Sequence, residues 1–319
     1  MVQSIVAIRN AVRPHLEKLE AGDKFLVGVS GGADSLALAA ALLKEAEPLA
    51  LTAIAITVDH QLQENSSANA ERVALQLKEM GYGKVLISKV VVSTESGIEA
   101  GARDARYKAI EKSVAEEKAV KVFLGHTHND QAETVLLGLA RGSGTRSLSG
   151  MAEDNGIYCR PLLAITRDET EKACQELGIP FWSDPHNFDT EFTRVRVRRE
   201  VIPFLESHLD PGISKALVRS AALFRDDADA LDEWAAKEWD RLKVLECDYL
   251  SGLPRAIRTR IIRLAAYEAG VSQGTLTAEQ VGAVEALISA WRGQGAIALS
   301  GGVKVERISG RLTLSKDPV

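Results

Sequence analysis

Cysteine is scarce in this chain of 319 residues: Cys159, Cys174 and Cys247 are the whole supply. Their number is odd, their spacing is wide, and no Cys-x-x-Cys pair exists. Neither a disulfide framework nor a cysteine metal site is therefore available, and the chain reads as a reduced, cytoplasmic protein. Long apolar runs are also missing. Every hydrophobic stretch is interrupted within about a dozen residues, short of the roughly 20 that a membrane-spanning helix needs. The N-terminus carries Glu17, Glu20 and Asp23 and has no uninterrupted apolar core, which argues against a signal peptide. Excess positive charge is absent too: 39 Lys and Arg stand against 44 Asp and Glu, a formal net charge of −5. That balance excludes a general nucleic-acid coat but not a local basic face, because net charge says little about patches. Repeats and low-complexity tracts are absent.

What is present is enough apolar material, 45% of the residues, for one large core and a smaller one. Four apolar runs read as strands: Lys24 to Val29, Leu51 to Val58, Lys84 to Val92 and Val120 to Gly125. Segments of helical composition lie between them, Leu36 to Ala46, Ser67 to Met80 and Ile98 to Lys118. This alternation predicts an α/β domain with a doubly wound, mainly parallel sheet, whose ligands bind at the carboxyl ends of the strands. Polar residues fall at three such ends: Ser30, the pair Asp59-His60, and His126.

The pattern breaks at Pro211-Gly212. The expected organisation is an α/β domain over 1–208, a helical linker over 209–243 and a small α+β domain over 244–319. The last part is expected to hold a basic helix, Arg255 to Gly270, and a second helix, Thr277 to Trp291. Its β-rich end alternates apolar and polar residues and turns at Gly301-Gly302 and Ser309-Gly310, which suggests a hairpin.

Ser30-Gly31-Gly32-Ala33-Asp34-Ser35 joins the first strand to the first helix. A Gly pair at such a turn lets backbone N–H groups converge on an anion, and the helix N-terminus adds partial positive charge. Ser30 and Ser35 can donate to phosphate oxygens, while Asp34 suits a bridging Mg²⁺. The loop is neither a Walker A nor a Gly-x-Gly-x-x-Gly motif. Further along, Arg103 and Arg106 are neighbours on a helix surface. They suit phosphate or carboxylate recognition, or else pair with Glu99 and Glu117 on a solvated face. Gly125-His126-Thr127-His128-Asn129-Asp130 leaves a strand and opens a helix. Thr127 or Asn129 would cap it, and Asp130 suits the helix dipole. Two histidines and an acid exceed what a cap requires; zinc on His126, His128 and Asp130 would lack a fourth ligand. Arg194, Arg196, Arg198 and Arg199 form a basic run that in isolation reads as a solvated face, and beside a nucleotide site as a contact for RNA phosphates.

The order Ser-Gly-Gly-x-Asp-Ser resembles the pyrophosphate loop of the N-type ATP pyrophosphatases. The set also includes Ala102-Arg103, Arg106-Tyr107, Arg141-Gly142-Ser143-Gly144, Arg160-Pro161-Leu162-Leu163 and Ser183-Asp184-Pro185-His186-Asn187. Taken in order, from about Phe25 to Pro203, these segments resemble the tRNA(Ile)-lysidine synthetase family. Trp291-Arg292-Gly293-Gln294-Gly295 and Leu299-Ser300-Gly301-Gly302 resemble its substrate-binding module more weakly. The resemblance implies a PP-loop, adenine nucleotide α-hydrolase-like fold. It also implies a ligase that joins L-lysine to the wobble cytidine of the CAU anticodon of tRNA(Ile), with ATP, Mg²⁺ and release of AMP and pyrophosphate. Other members of the superfamily, or a silent RNA-binding protein, are the alternatives.

By that resemblance Asp34, Arg106, His126 and Asp130 are catalytic, and Asp34 and Asp130 hold the metal. Ser30, Gly31, Gly32, Ala33, Asp34, Ser35, Asp59 and His60 bind ATP. Arg194, Arg198, Arg255, Arg258 and Arg292 bind tRNA. Asn129, which stands where the family often has the first Asp of a pair, is expected to matter little. Val195 replaces a frequent Asn, and the chain looks like a short form of the family.

Overall fold

A computed structural model of the chain describes residues 3–61, 66–92, 97–182 and 188–316. It divides into two compact units, Met1–Ala222 and Leu223–Val319.

The first unit begins with α1 (Gln3–Leu16), β1 (Lys24–Gly28), α2 (Ala33–Ala46), β2 (Thr52–Asp59) and α3 (Ser66–Glu79). It continues through β3 (Val85–Lys89), α4 (Ile98–Glu117), β4 (Lys121–Leu124), α5 (His128–Ala140) and α6 (Thr145–Leu148). The short strands β5 (Asp154–Asn155) and β6 (Tyr158–Cys159) precede α7 (Arg167–Glu176). After these come α8 (Thr193–Arg196), a π-helical stretch over Val197–Val201, α9 (Ile202–His208) and the start of α10 (Ile213–Leu242). All four expected strands form, with ends shifted by no more than three residues.

The sheet order is β3-β2-β1-β4-β6-β5, parallel except for the pairing of β5 with β6. Successive strand residues point to opposite faces, and the core follows that alternation. Phe25, Val27, Ala55 and Phe123 pack on the face covered by α1, α2, α3 and α7. Leu26, Ile54, Ile56, Val122 and Leu124 pack on the other, against Ile110 and Val114 of α4. Phe25 and Phe123 meet edge to face at 5.1 Å. From β1 the chain steps outward through β2 and β3, then crosses to β4 on the opposite side. The carboxyl ends of β1 and β4 therefore flank the topological switch point, where such sheets bind ligands.

Two helices of this unit escape the strand–helix alternation. α1 buries Ile5, Ile8, Val12 and Leu16 at helical spacing. α7 buries only Thr170, Ala173 and Cys174, too short and too polar a stripe to stand out.

The expected linker, 209–243, is largely α10, and the division between units falls inside that helix. The reason is packing: Leu231, Ala235, Trp239 and Leu242 belong to the core of the second unit. That core also takes in β7 (Leu245–Glu246), α11 (Cys247–Ser251), α12 (Arg255–Glu268) and α13 (Ala278–Ser289). β8 (Ile297–Ala298), β9 (Val303–Ile308) and β10 (Arg311–Lys316) complete an antiparallel sheet in the order β7-β10-β9-β8. The expected hairpin joins β9 to β10 through Ser309 and Gly310, both at positive φ (48° and 80°). That is the primed turn that matches strand twist.

Candidate active site

A cleft of about 960 Å³ opens at the switch point of the first unit. Its floor is the turn from β1 into α2. Gly31 sits at φ +87°, and a Cβ there would meet Val73 Cγ2 at 2.6 Å, so only glycine fits. Ser35 Oγ accepts from the Ser30 N–H (3.1 Å) and donates to the Gly32 carbonyl (3.0 Å), which closes the loop on itself. α2 starts without a side-chain cap, and Gly32, Ala33, Asp34 and Ser35 line the cleft. The first-turn N–H groups are thus left for an anion.

Beside this turn lies a cluster of alternating charges. Asp34 Oδ2 accepts from Arg167 Nε at 3.2 Å, and Asp34 Oδ1 accepts from the buried Thr170 hydroxyl. The Arg167 guanidinium also reaches Asp130 Oδ1, at 3.6 Å, and Arg198 reaches the same oxygen at 3.5 Å. Asp130 Oδ2 accepts from the Thr127 backbone N–H (2.8 Å) and hydroxyl (3.0 Å) in a capping box at the start of α5. One turn on, the fully buried Glu133 takes Arg198 Nε at 2.6 Å and Arg194 Nε at 3.3 Å. Burial raises the pKa of Asp34, against the opposing pull of Arg167 and Thr170. Burial acts on Asp130 too, but Arg167, His126, the Thr127 N–H and Arg198 outweigh it and hold that carboxyl below the usual range. Two adjacent carboxyls thus have their proton affinities pushed apart.

The far side of the cleft is cationic. Arg106 carries a buried Nε with no hydrogen-bond partner among the described residues, and its charged neighbours are Arg103 and Arg194. His60 and His126 each bury an unpartnered Nδ1 nearby. Burial lowers the pKa of His126, and Arg106, Arg160 and Arg103 lower it further against the pull of Asp130, so the ring is neutral. Burial and Arg106 likewise lower His60. Asp59 lines the cleft as well, and its carboxylate accepts from Ser67 Oγ (2.6 Å) and the Gln61 N–H (3.0 Å).

Residues 5–205 match the family model of the PP-loop domain, and residues 245–313 match that of the TilS substrate binding domain. The tRNA(Ile)-lysidine synthase of Thermobifida fusca is 48% identical over 98% of both chains. That of Streptomyces coelicolor is 51% identical over 91% of this chain and 84% of its own. The Mycobacterium tuberculosis protein of the same name is 41% identical over 99% of each. The chain belongs to the tRNA(Ile)-lysidine synthase family. A solved U34-tRNA thiolase of Methanococcus maripaludis, described with its [4Fe-4S] cluster, shares the fold. Its TM-score is 0.58, at 21% identity, over 70% of this chain and 80% of that one.

Within this lysidine synthase framework, the cleft is lined by Asp34, Arg106, His126, Asp130, Arg194 and Arg198, and by Asp59 and His60. Arg194 and Arg198 are no solvated face: both turn inward onto Glu133, and Arg194 also donates to Thr134 Oγ1 (2.9 Å). Glu117 pairs with Lys84 at 2.6 Å instead of with an arginine of α4, and Arg103 lies over the Tyr107 ring. The Glu99 side chain and Ser183-Asp184-Pro185-His186-Asn187 lie outside the described residues. Among the described residues no three His, Cys, Asp or Glu side chains group as metal ligands, so His126, His128 and Asp130 make no zinc site.

In the second unit Arg255 and Arg292 are exposed. Arg258 is not: it is pinned by Glu285 (3.0 Å) and donates to the Leu253 and Ser251 carbonyls. Its donors are occupied by the fold, which corrects its reading as a phosphate contact.

Sequence reasoning passed over Arg167, Thr170 and Glu133. The signal for α7 was Thr166-x-x-Glu169, a capping box whose bonds form at both ends. Asn129 also gains weight, because its Oδ1 accepts from the Arg167 backbone N–H at 3.0 Å and so ties α7 to α5.

Proposed function

We propose that this chain joins L-lysine to C2 of the wobble cytidine in the CAU anticodon of tRNA(Ile), consuming ATP and releasing AMP and pyrophosphate. The product, lysidine, changes codon choice from AUG to AUA. The observation that carries this reading is kinship along the whole chain: 48% identity to a lysidine synthase over 98% of both. Such chemistry belongs to the cytoplasm, where tRNA is charged and read.

The cytosine O2 cannot leave C2 unaided. It attacks the α-phosphorus of ATP, and pyrophosphate departs. The lysine ε-amine then attacks C2, and AMP leaves with the former O2. The uncapped first turn of α2 with the Ser30 hydroxyl holds the departing pyrophosphate, while Ser35, whose hydroxyl proton goes to the Gly32 carbonyl, shapes the turn. Mg²⁺ fits the Asp34–Asp130 pair, since one cationic group, Arg167, already reaches both at 3.2 and 3.6 Å. No third protein ligand joins them among the described residues, which suits an ion that keeps waters and takes phosphate oxygens. When bound, it neutralises charge on the leaving group.

Neutral His126 receives a proton from the attacking amine, and anionic Asp130 beside it steadies the charge so formed. Arg106, buried with an unpaired Nε among other cations, takes the lysine carboxylate. A guanidinium facing the activated base would oppose its developing positive charge. Division of labour follows: residues 1–208 carry the chemistry, α10 runs from that unit into the core of the second, and 244–319 grip tRNA remote from the reacting base through exposed cations such as Arg255 and Arg292.

The test is incubation with ATP, lysine and the tRNA, followed by mass analysis of the nucleosides and the nucleotide product. Lysidine and AMP in equal yield are expected. ADP with orthophosphate, or an unmodified cytidine, overturns the assignment.

A further inference from the structure

Arg167 is built into the cleft from three directions. It is the first residue of α7, whose start is set by the Thr166–Glu169 capping box. Its backbone N–H is held by Asn129 Oδ1 at 3.0 Å, so the Cα is fixed relative to α5. Its neighbour one turn along, Thr170, fixes the other oxygen of Asp34. From that anchored position the guanidinium bridges carboxylates on the first turns of two different helices, Asp34 on α2 and Asp130 on α5.

The bridge itself is loose. Its contacts of 3.2 and 3.6 Å exceed the 2.7–2.9 Å or so of a strong charge-assisted hydrogen bond. A quarter of the side chain is exposed, at 24%, which leaves room for it to move. Asp130 has a second cation in Arg198, whereas Arg167 is the guanidinium bonded to Asp34. The bridge therefore stands where a divalent cation shared by the two carboxylates would have to bind, because Mg²⁺ or Mn²⁺ needs oxygen contacts near 2.1 Å.

We propose that Arg167 is an exchangeable counter-cation: it holds Asp34 and Asp130 together until a divalent metal displaces it, and this exchange couples metal entry to ATP. Without a nucleotide, displacement leaves a guanidinium in a cleft already rich in arginine, where the other lining carboxylates among the described residues are Asp59, already bonded to Ser67 and Gln61, and the single Glu171 one turn along α7. With ATP present, the phosphates receive it. Metal alone thus binds weakly, and metal and nucleotide strengthen one another by the same factor. The inference rests on the ATP-dependent reading above only for the identity of the nucleotide. Arg167 is a positioning residue in this scheme, acting through the two carboxylates.

The test uses the full chain and Mn²⁺ as probe, with free Mn²⁺ read by electron paramagnetic resonance. Titrations are run with and without α,β-methylene-ATP, which cannot be split between its α- and β-phosphates. In the wild type, the analogue should tighten Mn²⁺ binding at least about tenfold. Arg167→Gln should bind Mn²⁺ alone about tenfold more tightly than wild type, since a competing unit charge is gone, and its response to the analogue should shrink. Arg167→Lys, which keeps a point charge but cannot fork across both carboxylates, should fall between. A merely structural role would weaken Mn²⁺ binding and thermal stability together; tighter metal binding is the opposite movement. Mn²⁺ affinity equal to or below wild type in folded Arg167→Gln overturns the proposal, and the same result in Arg167→Lys does so if the Gln variant fails to fold. Lysidine formation is assayed separately on the wild type. Its absence would sink the functional reading and leave the Mn²⁺ comparison intact.

Discussion

A single methyl group at Gly125 is expected to disturb the cleft more than most side-chain deletions. Gly125 directly follows β4, immediately before His126, and the turn into α2 crosses directly over it. A Cβ at this position would stand 3.0 Å from the Asp34 carbonyl oxygen, 3.1 Å from the Asp34 carbonyl carbon and 3.1 Å from Ser35 Cα. Carbon contacts relax only beyond about 3.5 Å, so the backbone must yield by several tenths of an ångström. All three obstacles are main-chain atoms, so no rotamer change relieves them. Overpacking of this kind costs about 1–3 kcal/mol. For a unit the size of Met1–Ala222 that is roughly 2–12 °C in melting temperature. The displaced atoms belong to the turn to which the proposed function assigns pyrophosphate. Loss of one hydrogen bond there, about 1 kcal/mol, would weaken nucleotide binding around fivefold.

The assay pairs a thermal melt with titration by α,β-methylene-ATP. Gly282→Ala is the control, because its Cβ would meet nothing within 4 Å and it lies inside α13. It should gain up to about 1 kcal/mol from helix propensity. If Gly125→Ala matched wild type in both melting temperature and affinity, the close approach of turn to strand would be disproved.

Glu133→Ala should be among the most destabilising changes in the first unit, by about 3 kcal/mol in denaturant unfolding, because it removes the buried carboxylate that Arg194 and Arg198 share and leaves them only Thr134 and the 3.5 Å contact with Asp130. A cost below about 1 kcal/mol would mean that these pairs exchange freely with solvent. For His126 the pH sign runs one way: burial depresses its folded pKa, so below about 6.5 the unfolded chain binds a proton that the folded chain refuses. Its contribution is complete above that pH and is lost on acidification, by up to about 1.4 kcal/mol per pH unit. His126→Asn should flatten that slope between pH 5 and about 6.5, although His60 and His128 retain a share. Arg255→Ala and Arg292→Ala should each weaken tRNA binding and lower the salt slope by roughly one. Arg258→Ala should instead lower the melting temperature, since it removes the strongest partner of the buried Glu285 and leaves it a 3.8 Å contact with Arg255 and the Ser289 hydroxyl; a salt-slope change without destabilisation would return Arg258 to the RNA surface.

The sheet was legible in the sequence because burial on both faces demands continuous apolar strands, and those runs stand out between the helices. The turn from Ser30 to Ser35 was legible for a related reason: its conformation needs glycine, and Gly31 at φ +87° against Val73 leaves no substitute. His126 and Asp130 were readable as strand-end and helix-start residues. Pairing was not readable. Nothing local joins Arg167 to Asp34, 133 positions away, or Arg198 to Glu133, 65 positions away. A basic run looks the same in sequence whether it faces water or a buried carboxylate. Only the fold, by carrying α5, α7 and the basic segment to one strand edge, turned Arg194 and Arg198 inward. The same holds in the second unit, where Arg255 of α12 stays exposed and only grazes Glu285 of α13 at 3.8 Å, while Arg258, one turn on, lies against that carboxylate at 2.5 Å. Local chemistry is written in neighbouring residues, whereas the desolvation that sets charge and proton affinity depends on what the chain brings together from afar.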